Sequence, residues 1–207
     1  MRKGYKIVLT ADRTLLSEYG GGIFLGFSAC VPHGLLPDWM YFTFFCPSVH
    51  VSENGEVEVA PCGLRRIEAS LLESGFKEND VIVAHPDFLD RVVGKETKVL
   101  GINTTDPLCI GPATTTFTQL FGGEAYMAIK FREIVFNPVV RKYKPTIIVG
   151  GPGAWQFEAH KEKKAEYGID CVVIGEGEQV VPPLVKRVLN GERIPDFVYG
   201  SAVPPEE

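Results

Sequence analysis

The chain has 207 residues, a net charge of −5 and an apolar share of 45%, enough for one α/β domain with an insertion and a core that needs no staples. The acidic balance argues against a nucleic-acid surface. No run approaches the roughly 18 apolar residues of a membrane span, and the opening MRKGYKIVLTADR lacks the apolar stretch of a signal peptide, so a soluble, cytoplasmic protein with no membrane or nucleic-acid partner is expected.

KIVLT at 6–10 is the first predicted strand. Residues 17–61 then break any regular pattern. They hold Tyr19, Phe24, Phe27, Trp39, Tyr41, Phe42, Phe44 and Phe45, a GGG run at 20–22, and VSENGEVEV at 51–59. The last stretch reads as a hairpin turning at Asn54–Gly55. The whole is an insertion after the first strand, and its rings are either a docking face or extra core.

From residue 62 the chain alternates. CGLRRIEASLLES at 62–74 spaces Leu64, Ile67, Leu71 and Leu72 as a helix, and Gly75 stops it. DVIVA at 80–84 is a strand, and PDFLDRVV at 86–93 is a short helix with proline in its first turn. KVLGIN at 98–103 is the third strand. Helices are predicted over 112–120 and 124–143, a fourth strand over 146–149, a helix over 155–167, a fifth strand over 170–174 and a last helix over 178–189. Short strands, apolar on both faces, that alternate with helices predict a parallel sheet covered on both sides. The expected architecture is a flavodoxin-like, Rossmann-like doubly wound sheet of five strands. It fills residues 1–200, with 201–207 as a linker.

In such folds ligands gather outside the carboxyl ends of the strands. Four loops there supply the candidates. Ala11 and Asp12 follow the first strand. Asn103, Thr104, Thr105 and Asp106 follow the third, and offer short polar groups for a ligand edge or for plain Asx and Ser/Thr turns. Gly150, Gly151, Pro152, Gly153 and Ala154 follow the fourth. Gly175, Glu176, Gly177 and Glu178 follow the fifth, with Glu178 read as opening the last helix. The fourth-strand turn lacks the GxxxxGK of a P-loop, and Gln156 stands where a dinucleotide fingerprint needs its third glycine. A tight turn without ligand is the plain alternative. The two glycine turns together suit a broad planar ligand.

The five cysteines are widely spaced, with no CxxC and no CxxxCxxC, and read as buried reduced thiols. The four histidines show no metal-ligand spacing. His85 ends the second strand on the ligand edge.

KPTIIVGGPGAW and YGIDCVVIGEGEQVVPPLVKRVLNG, with CGLRRIEASLLESGF and VLGINTTDP upstream, resemble the N-terminal cobalamin-binding domain of radical S-adenosylmethionine (radical SAM) proteins. There the fourth strand ends in GGP and the fifth in GEGE. The resemblance implies a corrin lying over the strand-end loops and a nucleotide tail reaching between sheet and helices. It makes the fifteen loop residues above cofactor contacts. Cobalamin domains of the methionine synthase and mutase type carry DxHxxG after the first strand; here TADRTLLSEYGGG has Asp12 and no histidine at that spacing, so cobalamin without a protein histidine ligand is expected. His33 or His85 would reach the cobalt only by folding over. S-adenosylmethionine and a 4Fe–4S cluster would belong to a radical SAM domain following in the same chain, and this domain alone would not be catalytic. On this reading Gly151→Val and Gly175→Val expel the ligand and leave the fold intact. A cobalamin-free interaction or structural domain, and an enzyme using a nucleotide, are the alternatives.

Overall fold

The computed structural model describes residues 3–202; the expected linker lies outside the described residues from 203 on. β1 (Ile7–Ala11) leads into the insertion, which includes the single helical turn α1 (Asp38–Met40). Then come α2 (Cys62–Glu73), β2 (Val81–Val83), α3 (Leu89–Val92), β3 (Val99–Asn103), α4 (Pro112–Phe121), α5 (Tyr126–Val135) and α6 (Pro138–Tyr143). They are followed by β4 (Thr146–Gly150), α7 (Trp155–Ala159), α8 (Lys161–Tyr167), β5 (Cys171–Gly175), α9 (Val181–Leu189) and β6 (Phe197–Gly200). All pairings in the sheet are parallel, in the order β2-β1-β3-β4-β5-β6. This is the flavodoxin-like order with one strand added at the far edge.

The sixth strand goes beyond the five expected. FVYG has no clear alternation and is only half-buried; it forms because β5 offers an open edge, pairing Val173 with Val198. Two predicted helices divide. The first breaks at Asn137, whose side chain accepts from Val139 N at 2.9 Å and so caps α6, with Pro138 in its first turn. The second breaks at His160, which leaves helical geometry between α7 and α8.

The sheet alternates its side chains between two cores. Val8, Leu100, Ile102 and Val149 face α3, α5, α6, α7 and α8, where Phe131, Phe157 and Tyr167 cluster with ring centroids 5.7–6.2 Å apart. Leu9, Val99, Ile148 and Val173 face α2 and α9, through Leu64, Leu71, Val181 and Val185, in a core that Leu16 and the insertion's Val49 and Val57 join.

The insertion packs on the β1–β2 side of the molecule. Its hairpin turns at Asn54–Gly55, with Val51 bridged to Val57, and Glu56 then bridges Ala84 at the β2 end. Val57 N donates to Val83 O at 3.1 Å, and His85 N to Gly55 O at 3.0 Å. Both readings of its rings hold in part. Tyr41 stacks on Tyr126 of α5 with centroids 3.8 Å apart, and Phe42 is buried beside them. Phe24, Phe27, Trp39 and Phe44 remain exposed, Phe24 at 85%. Among the described residues no helix is long and apolar enough to cross a membrane.

Candidate functional site

A cleft of about 630 Å³ opens at the carboxyl ends of β3, β4 and β5 and runs down the sheet face between α2 and α9. Leu9, Val99, Gly101, Ile148 and Val173 form its floor. One wall is Gly63, Leu64, Arg66 and Ile67 of α2; the other is Val181 and Val185 of α9. Of the predicted residues, Asn103, Thr105, Gly150, Gly151, Pro152, Gly175, Glu176, Gly177 and Glu178 all stand at its rim. Three loops far apart in sequence thus meet at one opening.

The other predicted residues do not line the cleft. Ala11 and Asp12 are fully buried beneath the insertion. Asp12 Oδ1 accepts from Thr14 N at 2.9 Å and from the Thr14 hydroxyl. Burial pushes this carboxyl up from 3.8 to about 6, against the pull of those hydrogen bonds. Asp106 is spent on tying its loop to α4 and α7: it accepts from Ile110 N and Gly111 N at 3.0 Å, from Gln156 Nε2 at 2.6 Å, and from the Thr114 hydroxyl. Thr104 is buried, its backbone tied to Gly150 and Gly153. Gly153 and Ala154 lie behind the rim, where a Cβ on Gly153 would come within 2.3 Å of Thr105 O.

Glu178 does not open a helix. It precedes α9, whose first turn has no side-chain cap. Its Oε1 instead meets Arg66 Nε at 2.7 Å, while Glu176 lies 3.4 Å from Arg66 Nη1. These pairs join α2 to the loop after β5 across the rim. Glu178 Oε2 is buried and has no partner within the described chain.

The rim glycines are of two kinds. Gly151 (φ +97°) and Gly175 (φ +88°) adopt left-handed backbone, and a Cβ would fall 2.0 Å from Asn103 Oδ1 and 2.4 Å from Gly200 O. The fold itself demands glycine there, so the expectation that Gly151→Val and Gly175→Val spare the fold is corrected. Gly150 differs: it is outside the positive-φ set, and a Cβ would find nothing nearer than Val173 at 3.9 Å. Gly63, in the first turn of α2, has no heavy atom within 4 Å of that position.

Neither histidine considered for cobalt reaches the cleft. His85 is 1% exposed; its Nε2 lies 3.1 Å from Ser48 Oγ, and its Nδ1 accepts from Asp87 N. Burial lowers its pKa from 6.5 to about 4. His33 pairs with Asp38 at 2.9 Å on the insertion. Among the described residues no group of three or more His, Cys, Asp or Glu is placed to hold a metal ion.

The chain matches no protein-family model, no curated protein and no solved structure. Its site is therefore read from its own geometry. Gly63, Arg66, Gly101 and Trp155 were not among the residues expected from sequence. Gly63 carried a signal, a glycine in the first turn of an otherwise good helix former run; Arg66 and Gly101 carried none, since only the folded chain brings them to the same opening.

Proposed function

We propose that the chain is the cobalamin-binding module of a radical SAM enzyme. Gly150 and Gly63 carry this reading. Both line the cleft, and neither is required by backbone conformation or by packing. A glycine where a side chain would fit leaves room for something that is not protein. The rest of the cleft fits the group. Its volume is in the range of small-molecule sites. Its narrow apolar floor suits a nucleotide tail, and the rim at Pro152 and Trp155 suits a broad planar body.

When bound, cobalamin supplies methyl transfer or another radical reaction, with S-adenosylmethionine and a 4Fe–4S cluster held by a following radical SAM domain. The chain's own residues would hold it: the rim turns after β3, β4 and β5 would lie against it, and the Arg66–Glu178 pair would close one side. A protein histidine on cobalt is not part of the proposal. The proposal places the chain in the cytoplasm, where the free state of its five cysteines is ordinary.

The test is retention of a visible chromophore after mixing with hydroxocobalamin and desalting. The wild-type chain is expected to stay red, and Gly150→Val to elute colourless with unchanged circular dichroism. A colourless wild-type chain overturns the proposal and leaves the cobalamin-free interaction domain standing.

A further inference from the structure

Two cysteines far apart in sequence meet at one small core. Cys30 belongs to the insertion, and Cys109 lies in the loop between β3 and α4. Both are partly exposed and pack against the buried Ala29, Ala125 and Met127. Backbone hydrogen bonds hold the surrounding segments together: His33 N donates to Glu124 O at 2.8 Å and Tyr126 N to Val31 O at 3.2 Å, while Pro32 bridges Ala125. Ala125 N in turn donates to Cys109 Sγ at 3.3 Å. Residues 124–127 are thus the common neighbour of both thiols. The Asp106 carboxylate acts on both as well. Burial and then Asp106 push the Cys30 thiol up; burial, Glu124 and Asp106 push Cys109 up to about 11, against the Ala125 N–H and Arg132. Cys109 also holds a left-handed backbone, φ +57°, where residues other than glycine are uncommon. Of the other cysteines, Cys46 and Cys171 are fully buried and Cys62 is exposed at the start of α2.

We infer that Cys30 and Cys109 are a redox pair that closes into a disulfide when the chain meets a disulfide oxidant such as oxidised glutathione, tying the insertion to the loop after β3. It is independent of the corrinoid reading. In the first step the thiolate of one cysteine attacks a sulfur of the oxidant, forms a mixed disulfide and expels one reduced glutathione. The second thiolate then attacks the protein sulfur of that mixed disulfide and expels the other glutathione. The two protein thiols give up two protons and two electrons, and the oxidant takes them up as two reduced thiols. Thiols held protonated by burial and by Asp106 react slowly, so the pair stays reduced in passing contact with oxidant and closes under sustained exposure. A bond of this kind in the cytoplasm is ordinarily transient and regulatory. It encloses roughly 80 residues, and a cross-link over so long a loop takes chain entropy from the unfolded state.

The experiment incubates the full chain with oxidised glutathione in mildly alkaline buffer, then digests it without reduction and maps the peptides by mass spectrometry. A linked peptide joining Cys30 to Cys109 is expected, with both thiols restored by dithiothreitol. The oxidised chain is expected to unfold at a urea midpoint higher by about 1 M. Cys30→Ser is expected to stop Cys109 at the mixed disulfide with glutathione, and Cys109→Ser to stop Cys30 in the same way. A linked peptide joining another pair overturns the inference. So do glutathione adducts on the wild-type Cys30 or Cys109 that never resolve, and so does full retention of both thiols after prolonged exposure. A cross-linked chain whose midpoint is unchanged or lower means that the bond forms only by distorting the fold, and overturns it too. The wild-type map decides the matter even where a serine variant fails to fold.

Discussion

The carboxyl-end edge of the sheet has two halves with opposite fates. Over β1 and β2 the insertion closes it. There Asp12, Thr10 and His85 are buried, Thr10 Oγ1 donates to Ala84 O at 2.8 Å, and the Arg13 guanidinium lies 4.0 Å from the centre of the Phe42 ring. Over β3, β4 and β5 three loops open onto the cleft, although Ala29 and Cys30 of the insertion also pack on Cys109 in the loop after β3. On the closed half the polar residues at the strand ends are buried structural groups, whereas on the open half Asn103 and Thr105 line the cleft beside the buried Thr104 and Asp106. Position in the fold nominates a residue, but the packing around it decides its role.

The largest test of the comparison is on the closed half. Tyr41→Ala removes a buried ring stacked on Tyr126 and is expected to cost about 3–5 kcal/mol in urea unfolding, as large aromatic truncations do. A cost under about 1 kcal/mol would make the insertion a loose flap and dissolve the contrast.

Titration of the closed half comes next. Asp12 is raised to about 6 from 3.8, so its contribution is fully present below 3.8 and is lost as pH rises through 6. His85 is lowered to about 4 from 6.5, so its contribution is present above 6.5 and is lost as pH falls through 4. The two slopes oppose each other between pH 4 and 6. Asp12→Asn keeps the acceptor for Thr14 and removes one slope. Its stability is expected to climb by about 2–3 kcal/mol from pH 4 to 6.5, more steeply than the wild type. Matching profiles for the two proteins would mean that Asp12 is not buried as described.

The open half is probed by neighbouring glycines. Gly151→Val forces a β-branched residue into left-handed backbone against Asn103 and is expected to cost at least about 1–3 kcal/mol. Gly150→Val sits at the end of a strand with room for its side chain and is expected to change stability by less than about 0.5 kcal/mol, while chromophore retention is lost. Equal destabilisation by the two would erase the distinction between glycines the fold needs and glycines the ligand needs.

Gly63→Leu sharpens the same point from the opposite wall. It replaces a poor helix former in α2 and is expected to stabilise the chain by up to about 1 kcal/mol, yet to fill the cleft and abolish retention. A variant gaining stability while losing its ligand is the signature of a residue kept for function. Unimpaired retention would place the ligand elsewhere.

The sequence by itself determined five of the six strands and the loops that follow them. IVLTA, VLGIN, TIIVG and CVVIG are apolar on both faces, and that is a local property which survives whatever packs around them. The same holds for the turns GGPG and GEGE, which lie where β4 and β5 end, whereas the break at Asn137–Pro138 fell inside one predicted helix. Only the tertiary structure decided which half of the strand-end edge stays open. That depends on residues 17–61 reaching back across the chain to pair with β2 and stack on α5, contacts that no periodicity encodes. It also brought Gly63, Arg66 and Gly101 to one cleft and turned Glu178 from a helix opener into the partner of Arg66. Strand patterning is short-ranged, whereas a cavity is the space left by elements that meet only after long-range packing.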